Sequence, residues 1–248
     1  MLHLFVDPSA IQGDTLLIEG ADCNHIKNVL RMRPGEELSV SNGADGKEYR
    51  YGIEAFTPDG VLCRLRFVKE ADVELPVKVY LFQGLPKADK MEWIVQKCVE
   101  LGVYEVIPVA MERCVVKLDA AKGRKKTQRW QTIAESAAGQ SRRGIVPQVR
   151  EPMTMREALD YAERVAGCRI IPYELQEGER GTRDLFRSLT PGGALAVFIG
   201  PEGGFTPQEV EAAAARGVRP ISLGRRILRT ETAGMTVLSW VIYETEIE

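Results

Sequence analysis

The chain has 248 residues, of which 33 are Lys or Arg and 35 are Asp or Glu, so its formal net charge is −2. Hydrophobic residues make up 44% of it, which is typical of a globular protein with one large domain or two smaller ones. This balance argues against a uniformly basic nucleic-acid binder, and no apolar run is long enough to span a membrane. Five scattered cysteines and two histidines argue against a disulfide framework and a metal site. The start of the chain lacks a signal-peptide pattern, so a cytoplasmic location is expected.

Residues 1–72 are predicted to form a small β-rich module of barrel type. A short helix is expected at residues 24–32. The stretch RPGEELSVSNGADGKEYRYGIEAF reads as a turn and two strands joined through Asn-Gly and Asp-Gly. The stretch GVLCRLRFV alternates in the manner of a half-buried strand. The grouped basic residues of this module are Lys27, Arg31 and Arg33, with Lys27 and Arg31 one helical turn apart.

A polar linker at residues 69–78 leads into a second expected domain, residues 73–248. Five apolar runs of strand length follow in this order: VKVYLFQG, EVIPVA, CRIIPYE, ALAVFIG and PISLG. Helices are expected to start between them near Asp89, Ala120, Thr154 and Pro207, and a last helix closes the chain. Strands that alternate with helices predict an α/β fold in which both faces of a parallel sheet are covered.

A basic segment lies in the middle of the chain. Residues 113–143 hold nine Lys or Arg against two Asp or Glu, and the stretch KGRKKTQRW is the centre of this excess. Such a patch on a nearly neutral protein is the expected footprint of a phosphate backbone. A solvated helix face has the same composition, and charge alone does not separate the two interpretations.

The stretch FIGPEGGFTPQEV, residues 198–210, joins an apolar run to a helix through a glycine turn. Thr206, Pro207 and Glu209 have the spacing of an N-cap, an N1 proline and the acid of a capping box. The glycines before them permit positive φ angles and a close approach of backbone to a ligand.

The glycine turn also carries a carboxylate, Glu202. The lysine-containing phosphate loop and the dinucleotide fingerprint are both absent from the sequence. Glu202 would repel a pyrophosphate and tolerate a cationic or zwitterionic ligand such as S-adenosyl-L-methionine. Alternatively, the carboxylate bonds amides within its own turn.

The stretch SLGRRILRTETA, residues 222–233, follows the next apolar run. Gly224 is expected to make a tight turn, and Thr230 is a candidate N-cap for the last helix. Arg225, Arg226 and Arg229 lie within five residues of one another, beside a helix N-terminus that favours anions. These arginines either bind a ligand or substrate or pair with surface acids.

These two stretches resemble the paired C-terminal motifs of the SPOUT methyltransferases and, more narrowly, of the RsmE family. HIKNVLRMRPGEEL, DKMEWIVQKCVELGV and AAGQSRRGIVPQV agree with the same family, so the resemblance spans nearly the whole chain. It implies a PUA-like RNA-binding β-barrel at residues 1–72 and a SPOUT domain with a deep trefoil knot at residues 73–248. It also implies a homodimer and bound S-adenosyl-L-methionine without a metal.

The implied reaction is methylation of N3 of a uridine in 16S ribosomal RNA, uridine 1498 in the usual bacterial numbering, with the small ribosomal subunit as the expected partner. Arg229 is the candidate for stabilising the uridine anion, and Glu231 and Glu202 are the candidates for a general base. The expected cofactor-binding residues are Glu174, Ile199, Gly200, Pro201, Glu202, Gly203, Gly204, Ser222, Leu223, Gly224, Ile227, Leu228, Thr230 and Ala233. The expected RNA-binding residues are Lys27, Arg31, Arg33, Lys122, Arg124, Lys125, Lys126, Arg129, Arg142 and Arg143.

Three other functions stay open at this level. A SPOUT enzyme acting on another RNA position carries the same C-terminal motifs. A non-catalytic RNA-binding assembly factor would share the basic segment but fail to bind S-adenosyl-L-methionine. A nucleotide-dependent oxidoreductase or transferase would share the alternating strands and helices, and the absent dinucleotide fingerprint argues against it.

Overall fold

A computed structural model describes residues 1–43, 45–70, 73–173 and 179–247. The chain divides into two compact units. Unit 1 contains residues 1–74 and 138–146, and unit 2 contains residues 75–137 and 147–248. The pattern of the sequence did not indicate that residues 138–146 belong with the N-terminal unit. None of the helices in the described ranges is long and apolar enough to cross a membrane.

Unit 1 is built on a six-stranded sheet with the strand order β1-β4-β5-β6-β3-β2. All its pairs are antiparallel except β1 with β4. Its core is apolar and includes Leu16, Leu38 and Tyr51, all fully buried. The strands and helix of this unit are β1 (His3–Phe5), β2 (Ile11–Gln12), β3 (Thr15–Ile18), α1 (Gly20–Asn24), β4 (Glu37–Ser41), β5 (Lys47–Phe56) and β6 (Val61–Glu70).

The predicted strands of unit 1 are confirmed, but the predicted helix at residues 24–32 is not continuous. The α-helix ends at Asn24, and a π-helical turn covers His25–Val29. This wider turn buries Ile26 completely. Arg31 then has a φ of 53°, which ends the helical path, because left-handed backbone cannot continue a right-handed helix.

Unit 2 contains a seven-stranded parallel sheet with the order β10-β8-β7-β12-β11-β13, and β9 pairs with β8. Its elements are β7 (Lys78–Gly84), α2 (Lys90–Glu100), β8 (Glu105–Ala110), α3 (Ala120–Gln140, which ends in unit 1), β9 (Gln148–Val149), β10 (Met153–Thr154), α4 (Met155–Val165), β11 (Cys168–Pro172), α5 (Glu179–Arg187), β12 (Ala194–Ile199), α6 (Pro207–Ala215), β13 (Arg219–Ile221) and α7 (Thr230–Thr245).

The five predicted strands and the parallel sheet are therefore confirmed, and the helices begin within one residue of their predicted starts. At the centre of the sheet, Phe82 of β7 and Phe198 of β12 are fully buried and stack with ring centroids 4.5 Å apart. Helix α7 packs closely on β7 and α2 at Gly234, where a Cβ would lie 3.5 Å from Leu81 of β7 and 3.6 Å from Cys98 of α2. The trefoil knot stays a prediction.

This topology positions the ligand site. Neighbouring strands of a parallel sheet end at the same edge, and ligands of open α/β sheets bind outside those carboxyl ends. Strands β7, β12, β11 and β13 are adjacent in the sheet. The loops that follow β12 and β13 are the two stretches whose sequences predicted a ligand site.

Candidate active site

One cavity of about 540 Å³ lies at this edge of the sheet in unit 2. Its walls come from the ends of β11 and β12, the loops after β12 and β13, and the starts of α2 and α7. The predicted cofactor-binding residues that line it are Ile199, Gly200, Pro201, Glu202, Gly203, Gly204, Ser222, Leu223, Gly224, Ile227, Leu228, Thr230 and Ala233. Glu174 lies outside the described residues. The structure thus brings the predicted set together, and its role in binding stays a prediction.

The glycine loop, residues 200–205, leads into α6 as predicted. Thr206 is the N-cap, its hydroxyl accepts from the Glu209 amide at 3.2 Å, and the Glu209 carboxylate accepts from the Thr206 amide at 2.9 Å. Within the loop only Gly204 has a positive φ, 66°. At Gly203 the constraint is steric, because a Cβ there would lie 3.0 Å from Cβ of Arg113, which would have to move by a few tenths of an ångström. The close approach at Gly203 is therefore made by the protein itself.

The second loop, residues 222–229, carries the three predicted arginines, and all three line the cavity with exposed side chains. Gly224 makes the expected turn with a φ of 103°. Arg229 is the N-cap residue of α7, with an extended backbone and no side-chain cap bond. No ion pair of the Arg229 side chain occurs with any described residue, so its guanidinium stays available to a ligand or substrate.

The prediction that Thr230 caps α7 is wrong, because Thr230 is the first residue within the helix. Its hydroxyl instead donates to the Gly200 carbonyl at 2.6 Å and accepts from Nε2 of Gln83 at 2.8 Å. Gln83, at the end of β7, is fully buried, and Thr230 is nearly so. This bridge connects the glycine loop, α7 and the central strand. Local sequence could not reveal it, because its three members are far apart along the chain.

A charged cluster of Lys90, Glu202 and Glu231 lies beside the glycine loop. Nζ of Lys90, in the first turn of α2, is 3.0 Å from Oε1 of Glu202 and 3.4 Å from Oε2 of Glu231. The Lys87 amide also donates to both Glu202 oxygens, at 3.1 and 3.4 Å. Sequence reasoning missed Lys90. The available signal was its place in the helix directly after β7, because that helix start lies at the same sheet edge.

The cluster fixes the charge of two of its members. Burial opposes ionisation of Glu202, but the Lys90 ammonium and the amides bonded to the carboxylate outweigh it and lower the pKa of this carboxyl. The hydrogen bond to Glu202, with a smaller contribution from Glu231, raises the pKa of Lys90. Both groups are therefore charged at neutral pH. Oε2 of Glu231 is buried and accepts no aligned hydrogen bond from the described residues.

The predicted RNA-binding residues of the middle segment lie on α3. Lys122, Arg124, Lys125 and Arg129 are exposed, and Lys126 is half-buried. Two of them already have partners, since Arg129 pairs with Glu92 at 2.7 Å and Lys122 with Asp119 at 3.3 Å. Their contact with RNA stays a prediction.

The predicted RNA-binding residues of unit 1 differ in their exposure to solvent. Lys27, Arg31, Arg33 and Arg142 are exposed. Arg143, in contrast, is only 2% exposed, and its Nε lies 3.2 Å from Oε2 of Glu74, within the same unit. A phosphate contact by Arg143 would require this ion pair to open, and its contact with RNA stays a prediction. Removal of either partner alone would leave an uncompensated buried charge, so the pair fixes the position of Arg143 within the unit.

The described residues contain no group of three or more His, Cys, Asp or Glu side chains that could hold a metal ion. All five cysteines are free thiols. Cys98, which lies in α2, is fully buried, and this burial raises the pKa of its thiol to about 12. A thiol with that pKa is not a nucleophile at neutral pH.

Two family models match the chain. One, described as an RNA methyltransferase domain, matches residues 73–242, which is more than half of the chain. The other, described as an RNA methyltransferase PUA domain, matches residues 18–66. The predicted fold class, a PUA-like module followed by a SPOUT-type α/β domain, is confirmed by these matches and the structure.

Individual relatives match over nearly the whole length. The chain is 39% identical over 240 residues to the ribosomal RNA small subunit methyltransferase E of Bacillus subtilis, with 95% of this chain and 93% of that protein covered. It is 33% identical to the protein of the same name from Synechocystis, over 96% of this chain and 76% of that protein. A crystal structure of the Neisseria gonorrhoeae protein of that name, bound to S-adenosyl methionine, is 32% identical, with a TM-score of 0.81 over 97% of this chain and 95% of that chain.

Proposed function

Because the chain belongs to the family of the ribosomal RNA small subunit methyltransferases E, we propose that it transfers a methyl group from S-adenosyl-L-methionine to N3 of a uridine in 16S ribosomal RNA. The observation that carries this proposal is the cavity in unit 2, where both motif loops and an available arginine meet. The cofactor is supported by the relative from Neisseria gonorrhoeae, which was solved with S-adenosyl methionine bound.

The cavity fits such a cofactor. Its volume of about 540 Å³ lies within the range of roughly 300–1,000 Å³ found for small-molecule sites. Gly204 and Gly224 have positive φ angles, and a Cβ on either would meet no protein atom within 4 Å. The two loops therefore present bare backbone toward open space, which allows their amides and carbonyls to approach a ligand closely.

When bound, the cofactor supplies an electrophilic methyl group. The protein must then hold the uridine, accept its N3 proton and stabilise the ring anion that remains. We assign the last task to Arg229, which is exposed at the cavity and has no ion-pair partner among the described residues. Its backbone is fixed at the start of α7, so the guanidinium extends from a rigid element.

Of the two candidate bases, the geometry favours Glu231. Glu202 is engaged by Lys90 and by the Lys87 amide, and its lowered pKa makes it a weak proton acceptor. Glu231 is held less closely, because its Oε2 lies 3.4 Å from Nζ of Lys90, against 3.0 Å for Oε1 of Glu202, and accepts no aligned hydrogen bond within the described part of the chain. It is also the residue next to Thr230, which lines the cavity. We therefore propose Glu231 as the group that takes the N3 proton.

The exposed basic residues of α3 and unit 1 are proposed to hold the RNA backbone. Sequence-specific recognition of RNA targets unstacked bases, so the reactive uridine would enter the cavity from a single-stranded region. The proposed substrate is 16S ribosomal RNA, within the small ribosomal subunit, and the proposed active form is a homodimer.

The test is methyl transfer with defined RNA. Purified protein and isotope-labelled S-adenosyl-L-methionine are incubated with small ribosomal subunits from a strain that lacks the family enzyme. The RNA is then digested to nucleosides for mass spectrometry. Labelled 3-methyluridine is the expected product. Label in another nucleoside would identify a different RNA position. Absence of both label and cofactor binding would favour a non-catalytic RNA-binding protein.

A further inference from the structure

The charged cluster of Lys90, Glu202 and Glu231 contains a residue with no role in the proposed reaction. We propose that Lys90 is a positioning residue, which clamps the glycine loop and the start of α7 to the segment that follows β7. In this arrangement Glu202 serves the clamp, rather than a cationic group of the cofactor or the proton of N3. The inference rests on the proposed function, because it concerns the same cavity.

The first support for the clamp comes from the contacts of Glu202. Oε1 of Glu202 accepts from Nζ of Lys90 at 3.0 Å and from the Lys87 amide at 3.1 Å, and Oε2 lies 3.4 Å from the same amide. Both carboxylate oxygens are thus directed at the protein's own donors. A carboxylate bonded to an ammonium and an amide forms charge-assisted hydrogen bonds, which are roughly twice as strong as neutral ones. The carboxylate of the glycine loop therefore attaches that loop to residues 87–90.

Lys90 connects this loop to a third segment. The same Nζ lies 3.4 Å from Oε2 of Glu231, in the first turn of α7. The side chains of Lys90, Glu202 and Glu231 are 30%, 26% and 19% exposed. Water is partly excluded from the cluster, so its attractions are screened less than those of a surface pair. The Lys90 ammonium thereby holds together three segments of the chain. The first of them, at Lys90, and the last, at Glu231, are more than a hundred residues apart in the sequence.

The cluster contains more negative than positive charge. Two carboxylates share one ammonium, so removing the positive charge of Lys90 would leave two negative charges close to the same point. Like charges at such separation repel, and the glycine loop and α7 would move apart. Lys90 also lines the cavity, so this movement changes the cavity wall. The ligand would then have to order the loop on binding, which weakens affinity.

The chain offers a matched control at Lys87. Lys87 is exposed and lies three residues before Lys90. It takes part in the clamp through its backbone amide only, which substitution of the side chain preserves. Lys87→Gln and Lys90→Gln therefore remove the same charge from the same segment, and only Lys90→Gln removes the clamp.

The first measurement needs no ligand. Hydrogen exchange of the full chain is followed for peptides covering residues 85–92 and 199–206. Lys90→Gln is expected to speed exchange of the Lys87 amide by about ten-fold or more, because Glu202, the acceptor of that amide, is then no longer held in place by the Lys90 ammonium. Lys87→Gln should exchange as wild type. Equal exchange in Lys90→Gln and wild type would overturn the clamp, whether or not the protein is a methyltransferase.

The second measurement is calorimetric titration with S-adenosyl-L-methionine. Lys90→Gln is expected to weaken binding by about ten-fold, Lys90→Arg to recover most of it, and Lys87→Gln to match wild type. In the double variant Lys90→Gln with Glu202→Gln, the losses should be less than additive, because both changes break the same Lys90–Glu202 contact. Fully additive losses would show that Glu202 contacts the cofactor independently, which contradicts the proposal. A wild-type protein that binds no cofactor would instead contradict the proposed function, while hydrogen exchange still decides on the clamp.

Discussion

The bridge through Thr230 gives the sharpest test of how the cavity is held together. Its hydroxyl donates to the Gly200 carbonyl at 2.6 Å and accepts from Gln83 at 2.8 Å, within a buried environment. Thr230→Val keeps the branched shape of the side chain and removes both bonds. The Gly200 carbonyl loses this donor, and Nε2 of Gln83 keeps, among the described residues, only its 3.1 Å bond to the Gly84 carbonyl.

The expected loss of stability in Thr230→Val follows from these lost hydrogen bonds. A buried polar group deprived of its partner costs about 1–3 kcal/mol, so two partly compensated groups give about 2–3 kcal/mol of destabilisation for Thr230→Val. For a unit of this size that corresponds to a fall in Tm of roughly 5–10 °C. Thr230→Ser is the matched control. It keeps the hydroxyl and loses one methyl group, at a cost of about 1 kcal/mol.

Differential scanning calorimetry of the ligand-free protein measures the order of stability. Wild type is expected to be the most stable, with Thr230→Ser next and Thr230→Val last. Titration with S-adenosyl-L-methionine should show the same order of affinity. The reasoning is refuted if the valine variant is as stable as the serine variant, because the methyl group would then matter more than the two hydrogen bonds.

Three further predictions follow from other parts of the molecule. Arg229→Ala should lower kcat on the order of 100-fold without changing cofactor affinity. Arg229→Lys should recover little, because lysine lacks the planar fork, and a loss confined to RNA affinity would make Arg229 a phosphate contact. Replacing Lys125 and Lys126 by glutamate should weaken RNA binding and lower its salt slope by roughly one per lost contact, whereas an unchanged slope would mean a solvated face. Burial lowers the pKa of His3 below 6.5, so the unfolded chain binds the proton first as pH falls. Wild type should then lose more stability between pH 7.5 and 5.5 than His3→Gln does in urea unfolding, and equal losses would contradict this.

Local patterns predicted those features that local interactions determine. The five parallel strands follow from apolar runs bounded by helices, and the start of α6 follows from the spacing of Thr206, Pro207 and Glu209. Helix α5 was missed because its sequence, ERGTRDLFR, is polar and contains a glycine. Arg143 was assigned to RNA because a charged residue beside Arg142 reads as exposed. Its burial depends on Glu74, which is remote in the sequence and close only in the folded unit.

The tertiary contacts explain why a glycine loop carries a carboxylate. Glycine lets the backbone approach a ligand, but it also increases the number of conformations that the loop must give up on binding. A loop of this kind needs attachments that order it in advance, since ordering on binding subtracts from affinity. Thr230 holds Gly200 at one end of the loop, and Lys90 holds Glu202 near its middle. If both attachments act by ordering the loop, their removal should reduce stability and cofactor affinity together, although neither attachment needs to touch the cofactor.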